Sequence, residues 1–140
     1  MINTKPKHWL LPLVLAGALA GCSPSDPIRL GFIGGVSGRV ADLGIGGRNG
    51  ATLAVEMRNK SGGVNGRLVE LIAEDDKQDP ETAKQAVARL ISRKVEAIIG
   101  PMTSAIAVAS LPLINEARMT MISPTVTAPK LSGLDDYFLR

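Results

Sequence analysis

The stretch VEAIIGPMTSAIA, residues 95–107, contains one complete unit of the predicted fold. Its apolar run, Val95 to Ile99, is typical of a buried strand and stops at Gly100-Pro101. Two hydroxyl residues, Thr103 and Ser104, follow, and an alanine-rich helical pattern begins there. The stretch therefore predicts a strand, a tight loop and a helix, with two hydroxyl side chains where the helix starts.

The same alternation of strand and helix extends on both sides of this stretch. Apolar runs predict strands, and apolar spacings of three and four predict helices. Besides 95–99, strands are predicted at 28–33, 68–73, 120–123 and 137–140, and helices at 47–60, from 80 to about 93, and at 104–117. Pro112 is expected to kink the last helix or to mark a change of register within it. The sequence therefore predicts an α/β fold, a parallel sheet with helices on both faces and right-handed crossovers.

The helix after residue 79 carries the clearest signals. Asp79 is a favoured N-cap, and Pro80 suits the first helical position. One face is apolar at the spacing of a buried helical stripe: Ala83, Ala86, Val87, Leu90 and Ile91.

Four loops are expected to share one edge of this sheet. In open parallel sheets, ligands bind beyond the carboxyl ends of the strands. The loops predicted there span 34–46, 74–79, 100–104 and 123–133. This edge is therefore where a binding site is expected.

The N-terminal part of the chain is typical of an export signal. Residues 1–21 start with lysines, continue in an apolar run and end in small residues, and Leu19-Ala20-Gly21-Cys22 resembles the lipobox of bacterial lipoproteins. We expect cleavage before Cys22, lipidation of Cys22, and a short tether at 22–27, with the alternatives of a retained anchor or an unmodified thiol. The predicted protein is an exported lipoprotein, anchored to a membrane on its periplasmic or cell-surface face.

The charge balance argues against nucleic acid as a partner. The chain has 16 basic and 13 acidic residues, and removal of 1–21 takes away two of the basic ones, Lys5 and Lys7. The remainder is nearly neutral, has no basic run, and is poor in aromatic residues that could stack on bases.

Several kinds of chemistry lack the residues they need. The single histidine, His8, lies in the predicted signal, so a Ser-His-Asp triad and a histidine metal site are not expected. The glycines near residues 31–46 do not have the spacing of a dinucleotide or phosphate loop, and the acids at 74–79 do not match a calcium loop. No enzyme activity, cofactor or metal is predicted. From the residues alone, a helix cap is a better prediction for Ser104 than a ligand-binding group.

The part of the chain after the predicted signal and tether resembles the N-terminal lobe of periplasmic substrate-binding proteins for branched-chain amino acids. These proteins have the type I periplasmic-binding fold. The matching blocks are IRLGFIGGVSG, NGATLAVEMRNKSGGVNGRLVELIAEDDKQDP, AIIGPMTSAIA and MISPTVTAP. They extend over almost all of residues 28–140. The resemblance implies a receptor that delivers an amino acid or amide-like ligand to an ABC permease and ATPase complex.

The resemblance also implies roles for individual residues. Ser104 matches the serine whose hydroxyl and amide hold the ligand α-carboxylate, and Thr103 is its neighbour. Thr125 and Val126 match positions where backbone groups contact the ligand, and Thr127 matches a threonine at its α-amino and carboxylate groups. A further position, Leu43, falls where members often carry an aromatic residue that packs on the ligand.

Members of this family are much longer and close two lobes around the ligand. We therefore expect residues 28–140 to form an incomplete N-terminal lobe, a fragment without the second lobe. Two alternatives stay open: a sensor lipoprotein of the same fold that does not transport, and a nucleotide-binding α/β enzyme domain that uses the glycine-rich loop.

Overall fold

The computed structural model describes residues 26–39 and 41–140. The predicted signal at 1–21, Cys22 and most of the tether lie outside the described residues.

The described residues form a single parallel sheet with helices between its strands. The strands are β1 (Ile28–Gly34), β2 (Val69–Asp75), β3 (Ala97–Ile99), β4 (Met121–Ile122) and β5 (Phe138–Leu139). The helices are α1 (Ala41–Lys60), α2 (Pro80–Ser92) and α3 (Ser104–Ala117), and a short 3-10 helix spans Pro129–Leu131. The strand order is β2-β1-β3-β4-β5, and every neighbouring pair is parallel. The predicted α/β class is confirmed.

The main core lies where α2 and α3 cover one face of the sheet. Ile33, Ile98, Met121 and Phe138 point from four strands into this cluster, and Leu90 of α2 packs close to Gly31 of β1. The apolar stripe predicted for α2 is confirmed, since Ala83, Ala86, Val87 and Leu90 are buried and Ile91 packs against the cluster. Burial of such side chains is the main source of stability in a domain of this kind.

Helix α1 lies on the opposite face of the sheet. Successive side chains of a strand point to opposite faces, so Phe32 points away from the α2 side, to which Ile33 belongs. Phe32 packs there beside Gly47 of α1. Helices therefore cover both faces, as predicted.

The predicted start of α1 is wrong. The helix begins at Ala41, whereas the glycine-rich stretch up to residue 46 was expected to be a loop. Gly44 explains the difference: a Cβ at this position would overlap the carbonyl oxygen of Gly35, so the absence of a side chain lets the first turns of the helix lie directly on the loop backbone. These glycines allow a close approach rather than ending the helix.

The strand boundaries differ from the expectation by one or two residues, and two of these differences affect the loops. Strand β3 begins at Ala97 rather than Val95, because the Val95 amide donates back to the carbonyl of Leu90 in the last turn of α2. Strand β2 continues to Asp75, where it still pairs with Gly34. The loop expected at 74–79 is therefore shorter, and the end of β2 lies closer to the first loop.

Two further features of the helices concern a proline in α3 and the length of the apolar segments. Pro112 lies inside α3, which continues past it to Ala117. No helix within 26–39 and 41–140 has both the length and the apolar character needed to cross a bilayer.

Candidate functional site

The loops that follow β1, β2, β3 and β4 meet at the carboxyl edge of the parallel sheet. Gly100 directly follows β3 and has φ 108°, a left-handed conformation, and a Cβ there would overlap the Ile33 carbonyl oxygen. Only glycine fits this position without moving the backbone of β1. The loop from Gly100 to Thr103 is therefore set tightly against the end of the neighbouring strand.

The hydroxyls at the start of α3 are not used as caps. Thr103 is the N-cap residue, and its side chain makes no capping hydrogen bond, while Ser104 is the first residue of the helix. The cap expected of Ser104 is thus wrong by one position. Both side chains are partly exposed, and neither hydroxyl donates to another of the described residues. The positive end of the helix dipole and two hydroxyls are left accessible at this edge.

Ser123 connects this loop to the one after β4. The buried Ser123 hydroxyl donates to the Pro101 carbonyl at 2.6 Å and accepts from the amides of Thr125 at 3.3 Å and Val126 at 3.2 Å. The Thr125 hydroxyl donates to the Met102 carbonyl at 2.8 Å. Two predicted site segments are therefore held together by one buried serine and one threonine.

These hydrogen bonds restrict what residues 125–127 can offer to a ligand. The amides of Thr125 and Val126 already donate to Ser123, and the Val126 side chain is buried. Their N–H groups are therefore already paired, whereas no described residue outside the regular elements donates to their carbonyl oxygens. Thr127 is exposed at the same loop.

Leu43 lies in the first turn of α1, with 43% of its surface exposed. One turn later, Gly47 packs on Met102, since a Cβ on this glycine would lie 2.7 Å from the Met102 Sδ. Met102 therefore links α1 to the loop that carries Thr103 and Ser104. The contacts place all three predicted segments around Met102, which is buried.

The acidic corner after β2 has a structural role. The Asp79 carboxylate accepts from the Thr82 amide at 2.7 Å and from the Thr82 hydroxyl at 2.8 Å. The first of these confirms the predicted N-cap, and both lower the Asp79 pKa. Burial raises the pKa of Asp76. For Asp75, burial also acts to raise the pKa, but hydrogen bonds from Ser37, Lys77 and Val36 outweigh it, so the pKa lies below its ordinary value. The described part of the chain contains no cluster of acids, histidines or cysteines suited to a metal ion.

Sequence reasoning did not identify Met102, Ser123 or Asp75 as site-forming residues. Their roles come from contacts between segments that are far apart in the chain, such as Ser123 to Pro101 and Asp75 to Ser37. A serine at the end of a short predicted strand was the one available signal, and this signal is also typical of an ordinary turn.

Comparison with known proteins identifies relatives of the whole described region. The family model described as periplasmic binding protein matches residues 27–138. The leucine-, isoleucine-, valine-, threonine- and alanine-binding protein of Pseudomonas aeruginosa is 31% identical over 121 residues, which are 86% of this chain and 32% of that protein. The Leu/Ile/Val-binding protein BraC3 of Rhizobium johnstonii is 34% identical over 120 residues, with the same two coverages.

Solved structures support the same relationship. The branched-chain amino acid transporter substrate binding protein LivJ from Streptococcus pneumoniae, in complex with isoleucine, superposes with a TM-score of 0.77 at 33% identity, covering 80% of this chain and 32% of that one. The leucine binding protein LivK from Thermotoga maritima gives a TM-score of 0.67 at 29% identity, covering 76% and 30%.

The chain spans about a third of the length of the curated relatives it matches. The family match nevertheless extends over residues 27–138, which is most of the chain. The chain belongs to the periplasmic binding protein family.

Proposed function

We propose that this chain supplies one wall of the ligand site in the extracytoplasmic binding component of an ABC uptake system for branched-chain or related amino acids. The observation that carries the proposal is the partly exposed start of α3, where neither the Thr103 nor the Ser104 hydroxyl donates to another residue within 26–39 and 41–140. Relatives that bind leucine, isoleucine and valine support this ligand class. The role is binding without catalysis.

The proposed contact is between the ligand α-carboxylate and the first turn of α3. Amides at a helix N-terminus and a serine hydroxyl are donors, and the helix dipole favours an anion there. Hydrogen bonds to a charged group contribute about 1.5–3 kcal/mol each. Ser104 would donate its hydroxyl and amide, with the Thr103 hydroxyl beside it.

The proposed contacts of the loop after β4 complement this anion site. The carbonyls of Thr125 and Val126 are acceptors and would suit an ammonium group, because their own amides are already paired with Ser123. Thr127 would use its exposed hydroxyl for the α-amino and carboxylate groups. Leu43 would pack on the apolar part of the ligand. Donors at α3 and acceptors at residues 125–127 together suit a zwitterionic amino acid.

The proposed location is outside the cytoplasm, on a lipid anchor. The supporting features are the signal-like residues 1–21 and the lipobox-like motif ending in Cys22. Residues 23–27, with two prolines, would separate the lipid from the domain. An anchored receptor would meet the permease of its transporter at the membrane surface.

The test is calorimetric titration of the full chain with leucine and with 3-methylbutylamine, which has the leucine side chain and amine but no carboxylate. We expect leucine to bind and the amine to bind at least about tenfold more weakly. Ser104→Ala should weaken leucine binding by about tenfold, which corresponds to about 1.4 kcal/mol.

Ser61→Ala is the matched control, because Ser61 follows α1 at the opposite edge of the sheet and its hydroxyl donates to the Met57 carbonyl at 3.2 Å, far from the proposed site. Its leucine affinity should equal that of the unaltered chain. Equal affinities of the Ser104→Ala variant and the unaltered chain would refute the carboxylate contact, and equal binding of leucine and the amine would refute the ligand class.

A further inference from the structure

The glycine-rich loop at 35–39 is held by the end of the neighbouring strand β2. The Val36 amide donates to one oxygen of the Asp75 carboxylate at 3.0 Å, and the Ser37 hydroxyl donates to the other at 2.7 Å. The Gln78 side-chain amide donates to the Ser37 carbonyl at 3.1 Å. Three hydrogen bonds with the side chains of Asp75 and Gln78 therefore hold two consecutive residues of this loop, which is exposed from Ser37 to Arg39.

The turn that supplies these side chains is in an unfavourable conformation. Lys77 and Gln78 have φ values of 50° and 58°, the left-handed region that favours glycine. Their amides donate to the carboxylates of Asp75 at 2.9 Å and Asp76 at 2.7 Å, and the Asp79 amide closes the turn on the Asp76 carbonyl. Unfavourable dihedrals persist where surrounding contacts enforce them. Here the turn directs the Gln78 side chain towards the loop.

The loop in turn lies directly against the start of α1. A Cβ on Gly35 would lie 2.6 Å from the Gln78 Cγ, and a Cβ on Gly44 would overlap the Gly35 carbonyl oxygen. Gln78, Gly35 and Gly44 therefore form a continuous line of contact from the turn to the helix. Leu43 is the residue before Gly44, so its position depends on the contact between Gly44 and Gly35.

We propose that Asp75, together with Gln78, is a positioning residue for the ligand site: it holds the loop at 35–39 and thereby sets the first turn of α1, which carries Leu43. The proposal rests on the proposed function, because Leu43 is the residue that would pack on the ligand. An ionised carboxylate suits this task, since charge-assisted hydrogen bonds are stronger than neutral ones. Asp75 does not touch the ligand; its effect passes through the loop.

The first measurement is amide hydrogen exchange at Val36 and Leu43 in the full chain, followed by NMR. Asp75→Ala removes the two carboxylate oxygens that accept from Val36 and Ser37, and it should speed hydrogen exchange at the Val36 amide by about tenfold or more. Ser37→Ala changes an exposed side chain, keeps the carboxylate and should give a smaller increase at the same amides. Because Ser37 is exposed, this second variant keeps the test valid if Asp75→Ala fails to fold.

Asp79→Ala is the control for a loss of stability that is unrelated to the loop. Asp79 lies in the same connection, but its carboxylate accepts from the amide and the hydroxyl of Thr82 in α2 rather than from the loop at 35–39. Exchange at Val36, corrected for global stability, should be unchanged in this variant. Unchanged Val36 exchange in both Asp75→Ala and Ser37→Ala would show that the carboxylate does not hold the loop, and the proposal would be overturned.

The second measurement is the ratio of leucine to alanine affinity, by calorimetry. A displaced Leu43 should lower this ratio several-fold in Asp75→Ala and Ser37→Ala, because the loss falls on the ligand side chain, whereas Asp79→Ala should keep it. Faster exchange with an unchanged ratio would overturn the positioning role. If the unaltered chain binds neither amino acid, the proposed function fails and the positioning role with it, while the exchange data still decide whether Asp75 holds the loop.

Discussion

Helices α1 and α2 contribute to this protein in different ways. Helix α2 has 13 residues and buries four apolar side chains in the core, whereas α1 has 20 residues and buries only Gly44. The shorter helix therefore supplies more of the apolar burial that stabilises the fold. The longer one is placed by contact between its backbone and the backbone of the loop at 35–39. Length alone does not indicate which helix stabilises a domain.

The two faces of the sheet show the same difference. On the α2 side, Ile98, Met121 and Phe138 form a buried row across β3, β4 and β5. On the α1 side, the next residues of the same strands become more exposed towards the edge, and Ile122 is 46% and Leu139 55% exposed. Apolar burial is therefore concentrated under α2 and α3.

The largest expected effect tests the α2 side of this comparison. Leu90→Ala removes a fully buried side chain from the centre of the core and should lower the free energy of unfolding by about 2–5 kcal/mol. The measurement is urea unfolding followed by circular dichroism. Leu53→Ala in α1 is the matched control: Leu53 is 57% exposed, so its loss should change stability by only about 0.5 kcal/mol. Equal losses would contradict the difference between the two helices.

The next effect tests the backbone contact of α1. Gly44→Ala places a methyl group where the Gly35 carbonyl oxygen lies, and backbone on both sides must move to admit it. We expect a loss of about 1–3 kcal/mol in urea unfolding, as for other overpacked sites. Chemical shifts of Gly35 and Leu43 should change with it. A variant as stable as the unaltered chain would show that the helix does not lie on this loop.

The smallest effect has the opposite sign and comes from the same helix. Gly50 lies within α1, and a Cβ on this residue would meet nothing within 4 Å. Gly50→Ala should therefore stabilise the chain by about 0.5–1 kcal/mol, because alanine loses less backbone entropy than glycine when a helix forms. Comparison with Gly44→Ala, the same substitution six residues earlier in the helix, isolates the contact with Gly35. A loss of stability in Gly50→Ala would mean that something packs on this side of α1.

Helix α2 could be predicted from sequence because its signals are local. The Asp79 cap, Pro80 and the apolar stripe lie within a single segment and agree with one another. The start of α1 could not be predicted in this way. Its glycines are typical of a loop, and their actual role depends on Gly35 and Met102, which lie in other segments.

In the candidate site, too, some of the residues could be predicted from the sequence, whereas their hydrogen bonds could not. Hydroxyls after β3 and β4 were visible as Thr103, Ser104 and Thr127, and the family resemblance proposed a ligand for them. The sequence did not show which groups of these loops already have hydrogen-bond partners within the fold. The Ser123 hydroxyl accepts from the amides of Thr125 and Val126, so these N–H groups are already paired.

The sequence by itself determined the α/β class, the order of the elements and the edge at which the loops collect. These follow from apolar periodicity and from the rules of parallel connection, both of which are properties of short segments. Only the tertiary structure decided that Gly44 lies on Gly35, that Ser123 joins two loops, and that Asp75 holds a third. The physical reason is that these contacts join residues from different segments, and a hydrogen bond or a close approach forms only after the sheet has brought the segments together.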